Sequence, residues 1–174
     1  MTFSLHAATI PPYLQILGSV ARLVDKAEAW CAETGTPAEE VITARLIADM
    51  LPFTYQVKST AEHSIGAILA VREGFATPSL AMPPGTFTEL RDKVAAAQRD
   101  LAALDPTEVD GFVGKPVRFE FKEMRRDFTA ESFLTGYALP NFYFHAVTAY
   151  DLLRARGVHL GKRDFLGALP ATAA

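Results

Sequence analysis

Apolar residues recur at three- and four-residue spacing through most of the chain, the period of amphipathic helices. In the first such segment, 5–33, Tyr13, Leu17, Val20, Val24, Ala27 and Cys31 share one face, while Gln15, Arg22 and Lys26 point away. Gly35 is a natural C-terminal stop, and Pro11-Pro12 should kink this helix or start it afresh. Thr36-Pro37-Ala38-Glu39-Glu40 reads as the next helix start, with a capping Thr, Pro at the first position and acids in the first turn. That helix carries Val41, Ile42 and Leu46 and should end around 49–52. A further helical stretch runs from Pro52 to about Arg72 and closes at Gly74, with Phe53, Val57, Ala61, Ile65 and Ile68 as its apolar stripe. Gln56, Thr60 and His63 line one border of that stripe at i, i+4 and i+7.

Residues 75–85 are Pro-rich and apolar, which suggests a loop pinned to the surface. Thr86 and Glu89 make a capping box. The helix it opens runs to about Leu104, with Leu90, Val94, Ala97 and Leu101 inward, and Asp105-Pro106 stops it. The period then changes to two. Val117, Phe119 and Phe121 alternate with Arg118, Glu120 and Lys122, the pattern of a half-buried strand, and a second short strand should reach Phe128. Such a ribbon is marginal alone and must pack on the helices. Thr129 caps the last helix, which passes Pro140 and ends at Gly157; the proline should kink it. The tail, 158–167, should dock back through Leu160, Phe165 and Leu166, with fraying from Ala168 onward. The expected architecture is a single mainly all-α domain over 1–174, an antiparallel four-helix bundle with a small β-hairpin before the last helix.

Composition narrows the function without naming it. About half the residues are apolar and about a fifth charged, as in an ordinary globular domain of this length. A net charge of −3 supplies no long-range attraction to nucleic acid or to anionic membranes. Cys31 is the only cysteine, so no intramolecular disulfide can form. No basic region followed by an apolar run opens the sequence, and no apolar stretch is long enough to span a membrane. A cytoplasmic location is the expectation.

The last helix carries the main candidate site. It is apolar on nearly every side, yet Leu134, Ala138, Asn141, His145, Thr148 and Leu152 fall within about 60° of His145 at about 100° per residue. Polar groups on an inward stripe must find partners. Asn141, His145 and Thr148, with Gln56 and Thr60 from the earlier helix, are therefore the pocket candidates.

The runs 138–145 (ALPNFYFH) and 157–167 (GVHLGKRDFLG), with 44–52 and Gln56-Val57, resemble a bacterial family of unknown function. That family is similar to the DinB-like four-helix-bundle superfamily, and the resemblance covers almost the whole chain. In the superfamily, many members hold a divalent metal with three histidines, and several use it to activate a low-molecular-weight thiol for transfer or isomerisation. Carried over, His145 matches the second histidine of an H-x-x-x-H pair; Asn141 stands at the first, and Gln56 stands where the remaining ligand is expected. Amide oxygens are weak ligands for nickel, zinc or iron.

Three readings follow. The first is a DinB-like bundle with a degenerate or absent metal site, no cofactor, and a small polar pocket around His145 that could hold a small organic ligand. The second is a metal-dependent, thiol-utilising transferase or isomerase in which His63 and His145, helped by His6, rebuild a nickel, zinc or iron site. The third is a partner protein acting through its surface. His159 should be solvated in a turn and Cys31 buried as a small hydrophobe. The aromatic residues spread around the last helix, Phe133, Tyr137, Phe142, Tyr143, Phe144 and Tyr150, suggest cover on more than one side. A homodimer with Tyr143 and Tyr150 near the contact is the expectation.

Overall fold

The structure is a computed structural model describing residues 4–169; most of the tail expected to fray, 170–174, lies outside the described residues. Helix α1 (Leu5–Thr34) starts at Ser4, whose hydroxyl accepts from the Ala7 N–H at 3.0 Å, and stops at Gly35 in the left-handed region, φ 70°. It neither breaks nor restarts at Pro11-Pro12, contrary to one of the two expectations. Ile10, Tyr13, Ile16 and Leu17 are buried on either side of the pair, and that burial offsets the two backbone hydrogen bonds the prolines cannot donate.

Helix α2 (Ala38–Ile42) is shorter than the acid-rich start implied. The Thr43 hydroxyl and N–H both turn back onto the Glu39 carbonyl, at 2.7 and 2.9 Å, and close the turn there. Val41, Ile42 and Ala44 reach the core, whereas Leu46 stays exposed. Pro37 takes the N-cap position instead of Thr36, whose hydroxyl pairs with that of Thr34 at 2.8 Å. The Ala44 carbonyl then accepts from the Phe53 N–H at 2.9 Å and leads the chain into the next helix.

That helix is one run in three parts: α3 (Phe53–Ala61), a π-helical segment (Glu62–Gly66) and α4 (Ala67–Glu73), closed by Gly74 at φ 75°. Directly after it, β1 (Phe75–Ala76) forms where a loop was expected. Helix α5 (Phe87–Ala102) begins with the Thr86–Glu89 capping box, both bonds being made. Asp105-Pro106 ends it and at once starts α6 (Pro106–Asp110), Asp105 accepting from the Thr107 N–H at 2.8 Å. The ribbon is β2 (Pro116–Phe121) against β3 (Met124–Thr129), antiparallel, turning at Lys122, φ 53°. Val117 and Phe119 are buried, as their alternation required. β1 lies parallel to the other edge of β2, so the sheet has three strands in the order β1-β2-β3.

The last long helix likewise has three parts: α7 (Ala130–Phe133), a second π-helical segment (Leu134–Ala138) and α8 (Leu139–Ala155). Pro140 supplies no N–H to the ladder, and just before it the Leu139 N–H reaches back five residues to the Leu134 carbonyl. The expected disturbance is thus absorbed as a π turn. Helix α9 (Lys162–Leu166) docks the tail on α1, where Gln15 donates to the Leu166 carbonyl and Lys26 meets Asp164, both at 2.7 Å.

Helix α1 packs on α5 and α8, and α3 packs on α8 and α5. The enclosed core includes Leu17, Val24, Phe53, Ile68, Leu90 and Phe142, each nearly or fully sequestered, and Cys31 is buried at its margin. Among the described residues no helix is long and apolar enough to cross a membrane.

Candidate functional site

Helices α3 and α8 lie side by side and bring Gln56 against His145. Gln56 is only 2 % exposed, and its amide orientation is settled by its other end: Nε2 donates to the Leu51 carbonyl at 2.8 Å. Its Oε1 therefore faces His145 Nδ1, 2.7 Å away. An amide oxygen only accepts, so His145 must carry its proton on Nδ1 and donate it. In the neutral ring that leaves Nε2 with a lone pair.

His63 stacks on this imidazole, the two rings nearly parallel at 14° with centroids 5.4 Å apart. Tyr55 and Phe144 approach His145 edge-on, at 6.1 and 5.3 Å. Burial disfavours the charged imidazolium, and the neighbouring His63 adds to the effect, so the His145 pKa falls from 6.5 to about 4. Burial also lowers that of His63, with Glu62 acting the other way. Near neutral pH both rings are uncharged.

The other pocket candidates do not join this contact. Asn141 Nδ2 donates to the Tyr137 carbonyl at 2.7 Å, Thr148 to the Phe144 carbonyl at 2.7 Å, and Thr60 to the Gln56 carbonyl at 2.9 Å. Each satisfies itself on its own helix, four residues back. His6 is elsewhere: its backbone N–H caps onto Asp110 at 2.8 Å, at the junction of α1 and α6. His159 is exposed beside Trp30.

Next to the histidines opens a pocket of about 320 Å³, lined by Tyr55, Ser59, His63, Gly66, Phe119 and Tyr137 among others. Tyr55, Ser59 and His63 follow at i, i+4 and i+8 on one helix face, a spacing visible in the sequence but distinct from the apolar stripe. Lys58 had no such signal. It is 1 % exposed, 3.3 Å from Glu62, 3.3 Å from the Ser79 carbonyl it donates to, and 5.3 Å from the Tyr55 ring centroid. With Thr54, which donates to the Pro84 carbonyl, it pins the 77–85 loop along α3.

A metal of the kind the superfamily uses would need three protein donors converging on one point. Here two imidazoles meet with their ring planes nearly parallel, and ring lone pairs lie in those planes. Among the described residues no group of three His, Cys, Asp or Glu side chains could hold a metal ion together. The donor set does not fit a three-ligand centre.

The fold places the chain with DinB-like proteins. A crystal structure of a DinB family member protein from Shewanella denitrificans superposes with a TM-score of 0.82 at 26% sequence identity, covering 98% of this chain and 96% of that one. The chain itself belongs to DUF1993, a domain of unknown function, whose pattern matches residues 5–166. No curated protein matches it significantly.

Proposed function

We propose that this protein is a DinB-like antiparallel four-helix bundle that binds a small organic molecule beside a neutral histidine pair, having given up three-histidine metal chemistry. The observation that carries this reading is the hydrogen bond from His145 Nδ1 to Gln56 Oε1. It replaces a metal-ligating side chain by an amide that fixes the tautomer and leaves Nε2 with a lone pair, able to accept a hydrogen bond or act as a general base. A base whose pKa lies near 4 is weak but permanently unprotonated at neutral pH.

One feature supports the alternative, a metal-dependent thiol-utilising transferase or isomerase. Metal-bound imidazoles commonly donate their second nitrogen to a fixed oxygen, as His145 does to Gln56. Elemental analysis separates the two. Tag-free protein equilibrated with nickel, zinc or ferrous iron and then desalted should retain well under one metal per chain, unchanged by His145→Ala. Retention of about one equivalent that vanishes in both His145→Ala and His63→Ala establishes the metal reading instead.

A further inference from the structure

We infer that the pocket beside the histidine pair takes an uncharged aromatic molecule carrying a single hydroxyl or carbonyl, gripped by aromatic walls and read by Ser59, His63 and Tyr137. This rests on the metal-free reading of the site and assigns it a ligand class.

The walls are aromatic and already ordered. Tyr137 packs on Phe119 at 5.0 Å and on Phe133 at 5.4 Å, and all three line the cavity. Leu69 and Phe75, also lining it, keep 41 % and 43 % of their surface exposed, apolar area that a ligand would cover. At about 320 Å³ the space is at the small end of ligand pockets, which run roughly 300–1,000 Å³. One or two fused rings suit it. Gly66 forms part of the lining, and a Cβ built there meets no atom within 4 Å, so the missing side chain leaves open volume.

Both π-helical segments converge here. His63 lies on the first and Tyr137 on the second, their rings edge to face at 6.0 Å. A π turn costs hydrogen-bond geometry and recurs at functional sites; two of them aim side chains into one cavity.

The polar groups are few and unspent. Thr60 and Ser64 back-bond to helix carbonyls, but the hydroxyl of Ser59, a residue only 3 % exposed, has no hydrogen-bond partner among the described residues. Ser59 lies on the cavity lining, so this hydroxyl is free to bond to a ligand there. Charge decides the rest. Among the described residues the charged ones on the lining are Glu62 and Glu73, and no Lys or Arg joins them. Glu62 has one oxygen 3.3 Å from Lys58 and the other 3.3 Å from Lys93. With Glu62 held between those two ammonium groups, an anionic ligand would meet the Glu73 carboxylate and no lining cation. A cationic one would find only Glu73, at the exposed rim.

The test is a fluorescence titration with 2-naphthol, set against 2-naphthoate and 2-naphthylmethylammonium, at about pH 7.5 where naphthol is uncharged. Naphthol should bind at least about tenfold more tightly than either charged analogue, and Ser59→Ala should weaken it roughly three- to tenfold. Gly66→Leu, which fills the cavity, should weaken it by about tenfold or more while the circular dichroism stays native. Should Gly66→Leu fail to fold, amide shift changes in the native protein serve: they should centre on Gly66, Ala70 and Phe75. Naphthoate binding as tightly as naphthol, unchanged affinity in folded Gly66→Leu, shift changes elsewhere, or no naphthol binding up to about 1 mM each overturns the assignment. These results leave the metal-free reading standing, because that reading fails only on metal retained through His63 and His145.

Discussion

At His145 one hydrogen bond and one stacked ring set the chemistry. Gln56 accepts the Nδ1 proton at 2.7 Å, His63 lies against the face of the ring, and burial lowers the pKa to about 4. The consequence for stability has a definite sign. The unfolded chain takes up this proton near pH 6.5, while the folded chain resists it until about 4. The contribution is therefore intact above about pH 6.5 and lost as pH falls from there to about 4, with His63 acting in the same direction. Because the ring is not fully buried, this loss is on the order of 2 kcal/mol. Urea denaturation at pH 7 and pH 5 should show a smaller loss in His145→Gln than in the wild type; equal losses would mean that His145 titrates normally. Asp110, Asp127 and Asp164 have lowered pKa values and weaken the fold only at more acid pH, so the comparison of variants isolates the histidine.

At the level of elements, the helices were largely legible because their ends carry local signals. Gly35 and Gly74 stop helices in the left-handed region, and Thr86 with Glu89 opens one. What local pattern could not carry was pairing and register. β1 exists only because β2 offers it an edge, and α2 stops where the core does rather than where propensity fades. A uniform 100° per residue from Leu134 puts the polar stripe of the last helix on one line, but the π segment over Leu134–Ala138 rotates that portion relative to His145. Asn141 and Thr148 do lie near His145 in sequence, yet each bonds to its own helix; the residue that reaches His145 across the core is Gln56. Gly66, with right-handed helical angles of φ −61° and ψ −32° and open space at its Cβ, should accept alanine with a gain of about 0.5–1 kcal/mol. A lower melting temperature for Gly66→Ala would show that the π segment needs the glycine.

For the whole molecule, the aromatic last helix divides its cover. Tyr150 is half-buried and packs edge-on against Phe165 of the docked tail at 5.9 Å, so the chain covers that side itself. Tyr143, Phe144 and Val147 remain 38 %, 56 % and 41 % exposed. We propose that this exposed side, with Tyr143 rather than Tyr150, is where a second copy packs. Sedimentation at micromolar concentration should give a dimer that Phe144→Asp converts to monomer, and a purely monomeric wild type would remove the proposal. The chemistry of the site turns on the protonation state of His145. Long-range ¹H–¹⁵N NMR of the histidine rings, with and without one equivalent of Zn²⁺, measures this directly. A ring protonated on Nδ1, neutral down to about pH 5 and unmoved by zinc, is the expected result. A ring protonated on Nε2, charged by about pH 6, or shifted by one equivalent of zinc together with His63 would contradict the account.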